Sequence, residues 1–306
     1  MHRPTVSSVL IVGGTHGNEL TGIHLVNHAK KLKIESKYSS FNLDYLLANP
    51  KARVENKRYV DADLNRCFKI DDLNNPKLTA KEALLAKAIN QKYGPKIGTG
   101  DTKSKTDFIV DLHTSTANMQ TNIVITRIDQ FHLQLASYLK QKLVDVTVTS
   151  EAELLTDHHF LETIAPRGVL VEMGPIAQGC IEYPLFQKTE KVMLACLDFV
   201  ELYNNDQVPR LPELLRTFSY YSRVAFPTDE DGEISASVHP SLIGKAYPVL
   251  RPGDPIFKTF SGEDIIYQGK TTHLAFINEA AYYDKKIAMC LCEQADYSLK
   301  TNQRIK

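Results

Sequence analysis

Between residues 6 and 32 the apolar period of the chain changes from that of a buried strand to that of a helix, across a pair of glycines. Val6 to Val12 is β-branched and apolar, and it stops at Gly13-Gly14. After Thr15 to Glu19, residues Leu20, Ile23, Val26, Ala29 and Leu32 recur every three positions, which gives a helix one apolar stripe to lay on a sheet. The unit then repeats. The pattern predicts strands over Phe41–Leu47, Phe108–Leu112, Asn122–Thr126, Val144–Thr149 and Gly168–Met173, and helices over Thr79–Tyr93, Phe131–Leu143 and Phe186–Tyr203. Strands and helices alternating in this way build an α/β fold, a central sheet flanked by helices.

The pattern changes near residue 205. Beyond Asn204-Asn205-Asp206 the chain carries two spaced prolines and strand-like pieces punctuated by Asp-Gly, Pro-Gly and Ser-Gly. A chain of 306 residues is long for one domain, so the division expected is a main α/β domain over 1–205 and a smaller, mainly β domain over 206–306. The polar run Gly98–Lys105 reads as a loop.

Thirty-six acidic and 36 basic residues cancel, leaving no overall field to attract nucleic acid or an anionic membrane. The apolar stretch Val9–Val12 is far below the roughly 20 residues that span a bilayer, and it lacks the longer apolar core of a secretory signal. The expected location is the cytoplasm. Five cysteines are an odd set, of which only Cys290 and Cys292 stand close, spaced as strand neighbours, and all five read as reduced thiols.

The chemistry-bearing residues stand where strands end. Gly13-Gly14-Thr15-His16-Gly17-Asn18-Glu19 puts an imidazole and a carboxylate three residues apart in the loop leaving the first strand. In open α/β sheets the crevice at the carboxyl ends of strands is where ligands bind. The same segment also fits a plain glycine-rich turn, with Glu19 as an acid in the first helical turn. It is no phosphate loop, having neither of the usual glycine patterns. Phe108-Ile-Val-Asp-Leu-His113 ends a second buried strand in a histidine, which by itself also fits a buried, hydrogen-bonded imidazole. Taken together, His16, Glu19 and His113 are three protein ligands with room for a fourth position, as in a catalytic zinc site. Asp111, two residues earlier on the same strand face, is placed to orient an imidazole.

Three other groups complete the set. Glu172 ends the apolar strand Gly168-Val-Leu-Val171, where burial raises a carboxyl's pKa and suits it to general base work, although a strand-end cap is the plainer alternative. Lys57 to Arg66 is dense in Arg, Asp and Asn. It reads either as a salt-bridged surface loop or, beside a metal, as an oxyanion donor in Arg58 and a carboxylate fork in Asn65-Arg66. The H-x-x-E pair with a distant His is the pattern of zinc carboxypeptidase-like hydrolases.

These segments, together with Asn49-Pro50, Arg58-Tyr59, Asp63-Leu-Asn65-Arg66, Val171-Glu172-Met-Gly-Pro175, Arg251-Pro-Gly-Asp-Pro255 and Asn278-Glu279-Ala-Ala-Tyr282-Tyr283, resemble the aspartoacylase family over nearly the whole chain. The resemblance implies a zinc carboxypeptidase-like domain with a mixed central sheet, capped by the C-terminal β domain. It implies one Zn²⁺ per subunit on His16, Glu19 and His113, Glu172 as general acid/base, and Arg58 polarising the scissile carbonyl. It further implies that Asn65 and Arg66 hold the substrate carboxylate and that Tyr282 reaches the site from the C-terminal domain.

The expected activity is zinc-dependent hydrolysis of an N-acyl amino acid, N-acetyl-L-aspartate first. A broader deacylase, a carboxypeptidase-type peptidase and a non-enzymatic metal-binding protein are the alternatives. The expected partner is a small molecule, with neither nucleic acid nor membrane, and a homo-oligomer remains open. One position departs from the family. Aspartate-specific members carry an arginine ten residues before the catalytic Glu, where this chain has Glu162. Arg167 stands nearby, and His158 also differs from those members.

Overall fold

The computed structural model describes residues 5–96 and 103–305, so positions 98–102 of the polar loop lie outside the described residues. Ten strands form one mixed sheet. They are β1 (Ser8–Gly13), β2 (Asn42–Leu47), β3 (Phe108–Thr114), β4 (Gln120–Ile125), β5 (Val146–Ser150), β6 (Arg167–Gly174), β7 (Leu214–Ala225), β9 (Val249–Leu250), β12 (Thr272–Ala275) and β13 (Ile287–Ser298), in the order β2-β1-β3-β6-β4-β5-β7-β13-β12-β9. β8 (Ala236–Val238), β10 (Pro255–Thr259) and β11 (Asp264–Ile266) make a separate three-stranded sheet. The helices are α1 (Leu20–Leu32), α2 (Pro50–Val54), α3 (Ile70–Asn74), α4 (Lys81–Tyr93), α5 (Gln130–Lys142) and α6 (Tyr183–Asn204).

Alternation along the central strands assigns their faces. Val9 and Ile11 of β1 and Phe108, Val110 and Leu112 of β3 join the core under α1, α5 and α6. Leu10 and Val12 of β1 and Ile109 of β3 face the opposite way, toward α4 and Leu64, Phe68 and Leu161. With a period of two, Asp111 and His113 share that second face, so the strand that buries Phe108 also delivers His113 to the site. Truncating Phe108, which is fully buried, would cost about 3–5 kcal/mol.

β1, β2, β3 and β6 run parallel, which brings the loops after β1, β3 and β6 to one edge. β4 runs antiparallel to β6. Two glycines shape the first of these loops. Gly14 has φ +72°, a left-handed conformation that glycine adopts without strain, and at Gly17 a Cβ would lie 2.1 Å from the backbone carbon of Ala52 in α2.

The C-terminal part differs from its turn-punctuated sequence in one respect. Alongside short strands it contains β7 and β13, each 12 residues long, which pair antiparallel and continue the main sheet through β5. Of the buried positions Leu215, Thr217 and Ser219 in β7, the last two are polar, so the apolar alternation that marks a strand is weak in the sequence.

Candidate active site

His16, Glu19 and His113 are all buried, and their ligand atoms lie within 4.8 Å of one another. His16 Nδ1 is 2.6 Å from Glu19 Oε1, His113 Nδ1 is 3.0 Å from Glu19 Oε2, and the two Nδ1 atoms are 3.1 Å apart. The far nitrogens are engaged elsewhere. His16 Nε2 lies 3.0 Å from Asp63 Oδ1, and His113 Nε2 lies 2.9 Å from Asp111 Oδ2. A carboxylate only accepts, so Asp63 and Asp111 each accept from an Nε2–H, and the two Nδ1 atoms are the ring nitrogens that face the cluster beside Glu19.

The electrostatics of the cluster call for positive charge. Burial works against ionising Glu19, yet His16 and His113 hold its carboxyl well below the usual range. Burial also disfavours a charged His113, but Asp111 and Glu19 push its pKa well above the ordinary value. Two imidazole nitrogens and one carboxylate, each second nitrogen fixed by a carboxylate, are a donor set that fits a divalent cation. The carboxylates that draw a proton onto His113 would favour such a cation equally.

Around this cluster lies a cavity of about 570 Å³, lined among others by His16, His113, Arg58, Asn65, Arg66, Glu172 and Tyr282. Glu172 is the register partner of His113 across β3 and β6. Its carboxyl is pushed up to about 8, by burial first and then by the charge of Glu19. Arg58 donates from Nε and one terminal nitrogen to Asp63 Oδ2 at 3.3 and 3.2 Å, and from the other to Glu19 Oε1 at 3.3 Å. Two of its five N–H donors are left over. Asn65 accepts from the Leu161 backbone N–H at 2.9 Å, which turns its amide nitrogen toward His113. The guanidinium of Arg66 lies 5.2 Å over the Phe160 ring. Tyr282, in the turn Ala280–Lys285 of the C-terminal part, packs 5.5 Å from Phe276. All eight residues singled out from the sequence are thus in one place.

Residues 5–200 match the model of the succinylglutamate desuccinylase/aspartoacylase catalytic domain, and residues 213–294 match that of the AstE/AspA barrel-sandwich hybrid domain. The chain belongs to the succinylglutamate desuccinylase/aspartoacylase family. A probable aspartoacylase of Trichodesmium erythraeum is 41% identical over 290 residues, covering 94% of this chain and 97% of that protein. An N-acyl-aromatic-L-amino acid amidohydrolase of Xenopus laevis is 38% identical over 299 residues, covering 95% of both. The crystal structure of murine aminoacylase 3 superposes with a TM-score of 0.90 at 34% identity, covering 97% of this chain and 98% of that one.

The position at which the chain departs from aspartate-specific members of this family lies behind the site. Glu162 is fully buried, its carboxyl pushed up to about 8 by burial and then by Asp111, and it does not line the cavity. Arg167 does not take its place. It begins β6, at the strand end away from Glu172, with its guanidinium 5.1 Å over Phe131. His158 stacks beside Phe160 outside the cavity lining.

The sequence reading assigned no role to Asp63 or Glu82, although both hold the site. Asp63 bridges His16 and Arg58, and burial of its carboxyl is outweighed by His16 and Arg58, which hold it far down. Glu82 accepts from the backbone N–H groups of Val60, Asp61 and Ala62 at 2.7, 3.0 and 3.0 Å, fixing the loop that carries Arg58 and Arg66. An acid inside a helix gives no signal of that contact. Glu151, Lys69 and Arg223 also line the cavity, and no motif marks them.

Proposed function

We propose that this chain is a zinc-dependent hydrolase that cleaves the amide bond of N-acyl amino acids, with His16, Glu19 and His113 holding one zinc ion per subunit. The observation that carries this reading is the convergence of those three buried donors beside Glu172 in one cavity. When bound, the ion supplies Lewis acidity, which polarises a carbonyl and makes water acidic near neutral pH.

The chain's own residues do the rest. Glu172 takes a proton from the attacking water as the water oxygen bonds to the amide carbon, and returns it to the nitrogen as the C–N bond breaks. The remaining donors of Arg58 face the oxyanion that develops. Asn65 and Arg66 hold the substrate α-carboxylate. Tyr282 narrows the entrance from residues 206–306, which act as a cap and favour a small substrate over a peptide tail. Five free cysteines accord with work in the reducing cytoplasm. Among the described residues, no helix is long and apolar enough to cross a membrane.

For the substrate side chain we favour an apolar or aromatic group. Val124, Leu154, Leu155, Phe160, Leu170 and Phe276 line the cavity, and neither Glu162 nor Arg167 offers an acid a partner. The second reading, N-acetyl-L-aspartate, is favoured by Lys69 and Arg223, both in the lining. A panel of N-acetyl-tyrosine, N-acetyl-leucine and N-acetyl-aspartate, assayed with zinc and after chelation, decides. Zinc-dependent release of acetate with the neutral substrates preferred is expected. Preference for aspartate moves the assignment to the second reading, and activity that survives complete metal removal overturns the zinc reading.

A further inference from the structure

Asn122 stands in β4 just before its apolar stretch Ile123–Ile125, and the antiparallel register of β4 and β6 places it directly opposite Glu172. Opposed residues of an antiparallel pair point to the same face, with their Cβ atoms about 4.5–5.5 Å apart. Val124 and Leu170, the next opposed pair on that face, line the cavity. Asn122 therefore shares the sheet face that carries Glu172, just behind the cavity lining, and it is itself fully buried.

A chain of hydroxyls fixes which way its amide points. The Tyr220 hydroxyl donates to Thr149 Oγ1 at 3.4 Å, and Thr149 Oγ1 donates to Asn122 Oδ1 at 2.9 Å. The Tyr247 hydroxyl lies 3.2 Å from the same Oγ1. Thr149 has one hydrogen, and giving it to Oδ1 turns the NH₂ group of Asn122 away from this chain. That Nδ2 is buried with no hydrogen-bond partner. More than nine in ten buried polar groups are satisfied, so an orphan donor in a central strand needs a reason.

We propose that Asn122 is a positioning residue for Glu172, its side-chain N–H gripping one carboxylate oxygen so that the other faces the attacking water. Catalytic hydrogen bonds are often long in a free enzyme and tighten once substrate is bound, and the orphan Nδ2 is the donor available for that. The proton balance is unchanged. The water O–H bond breaks as the free Glu172 oxygen gains the hydrogen, and that hydrogen leaves with the amine. Asn122 transfers nothing.

The inference rests on the deacylase reading, and the experiment separates the two. In the zinc-loaded full chain, Asn122→Leu removes the donor and keeps the branched shape of the side chain. We expect kcat to fall about tenfold or more, with KM within twofold of wild type. Thr149→Val frees the amide to turn and produces a smaller loss of kcat with the same unchanged KM. Wild-type kcat in folded Asn122→Leu overturns the proposal, and so does a loss of kcat matched by a lowered thermal midpoint and raised KM. Should Asn122→Leu fail to fold, Thr149→Val carries the test, and unchanged kcat there overturns it. A wild-type protein that hydrolyses no N-acyl amino acid overturns the deacylase reading itself, and this inference with it.

Discussion

On one side of the cavity, His16, Glu19 and His113 come from strand ends and their loops, and each is held by further polar partners: Asp63 on His16, Asp111 on His113, Arg58 and the Thr114 N–H on Glu19. On the other side, Glu151, Leu154 and Leu155 come from the loop after β5, and Tyr220, Arg223, Phe276 and Tyr282 from the C-terminal strands and turns. That side is mainly aromatic and aliphatic contact. On the proposed function, the contrast teaches that the two walls answer to different demands. Bond-making geometry has to be over-determined to within a fraction of an ångström. A wall that receives a side chain needs shape and charge, and tolerates change.

The largest effect that tests this contrast is on the first wall. Glu172→Gln keeps the shape and removes the proposed base, so kcat should fall by about 10²–10⁴ while metal content after zinc loading, read by elemental analysis, stays at that of wild type. Near-normal turnover would show that the base lies elsewhere.

On the second wall, Glu151→Gln should leave kcat for the preferred substrate within about threefold while altering selectivity. Burial pushes the Glu151 carboxyl up to about 7, against the pull of Arg66 and Arg223, so at pH 8 it is mostly ionised and repels an acidic side chain. Its removal should raise kcat/KM for N-acetyl-aspartate relative to N-acetyl-tyrosine by roughly three- to tenfold. An unchanged ratio would place Glu151 outside substrate selection.

The smallest effect concerns stability alone. Glu162 has a folded pKa of about 8, against about 4.3 in an unfolded chain. Between those values the folded state binds more protons, so its contribution is fully present below about pH 4.3 and is lost as pH rises toward 8. In Glu162→Gln, denaturant midpoints measured from pH 5 to 8 should fall less steeply than in wild type. Equal slopes would show that Glu162 ionises normally.

Much of this was legible in the chain itself. The period change at Gly13-Gly14, the strand ending at His113 and the apolar run ending at Glu172 are local features, and a parallel sheet gathers such strand ends at one edge whatever its details. Asp111 was readable as the partner of His113 because a strand's period of two puts them on one face. β7 was harder to read, because Thr217 and Ser219 among its inward positions are polar.

Residue type and short spacing by themselves determined the fold class and singled out His16, Glu19 and His113, since both follow from local period and from the chemistry available at each strand end. Only the tertiary structure decided that Asp63 grips both His16 and Arg58, that Arg167 lies at the far end of its strand, that Glu162 is sealed behind the site, and that Asn122 faces Glu172. Each of these depends on register and on contacts between residues far apart in sequence. A shift of one residue in register would turn every side chain of a strand to the opposite face, and only the packed whole fixes that choice.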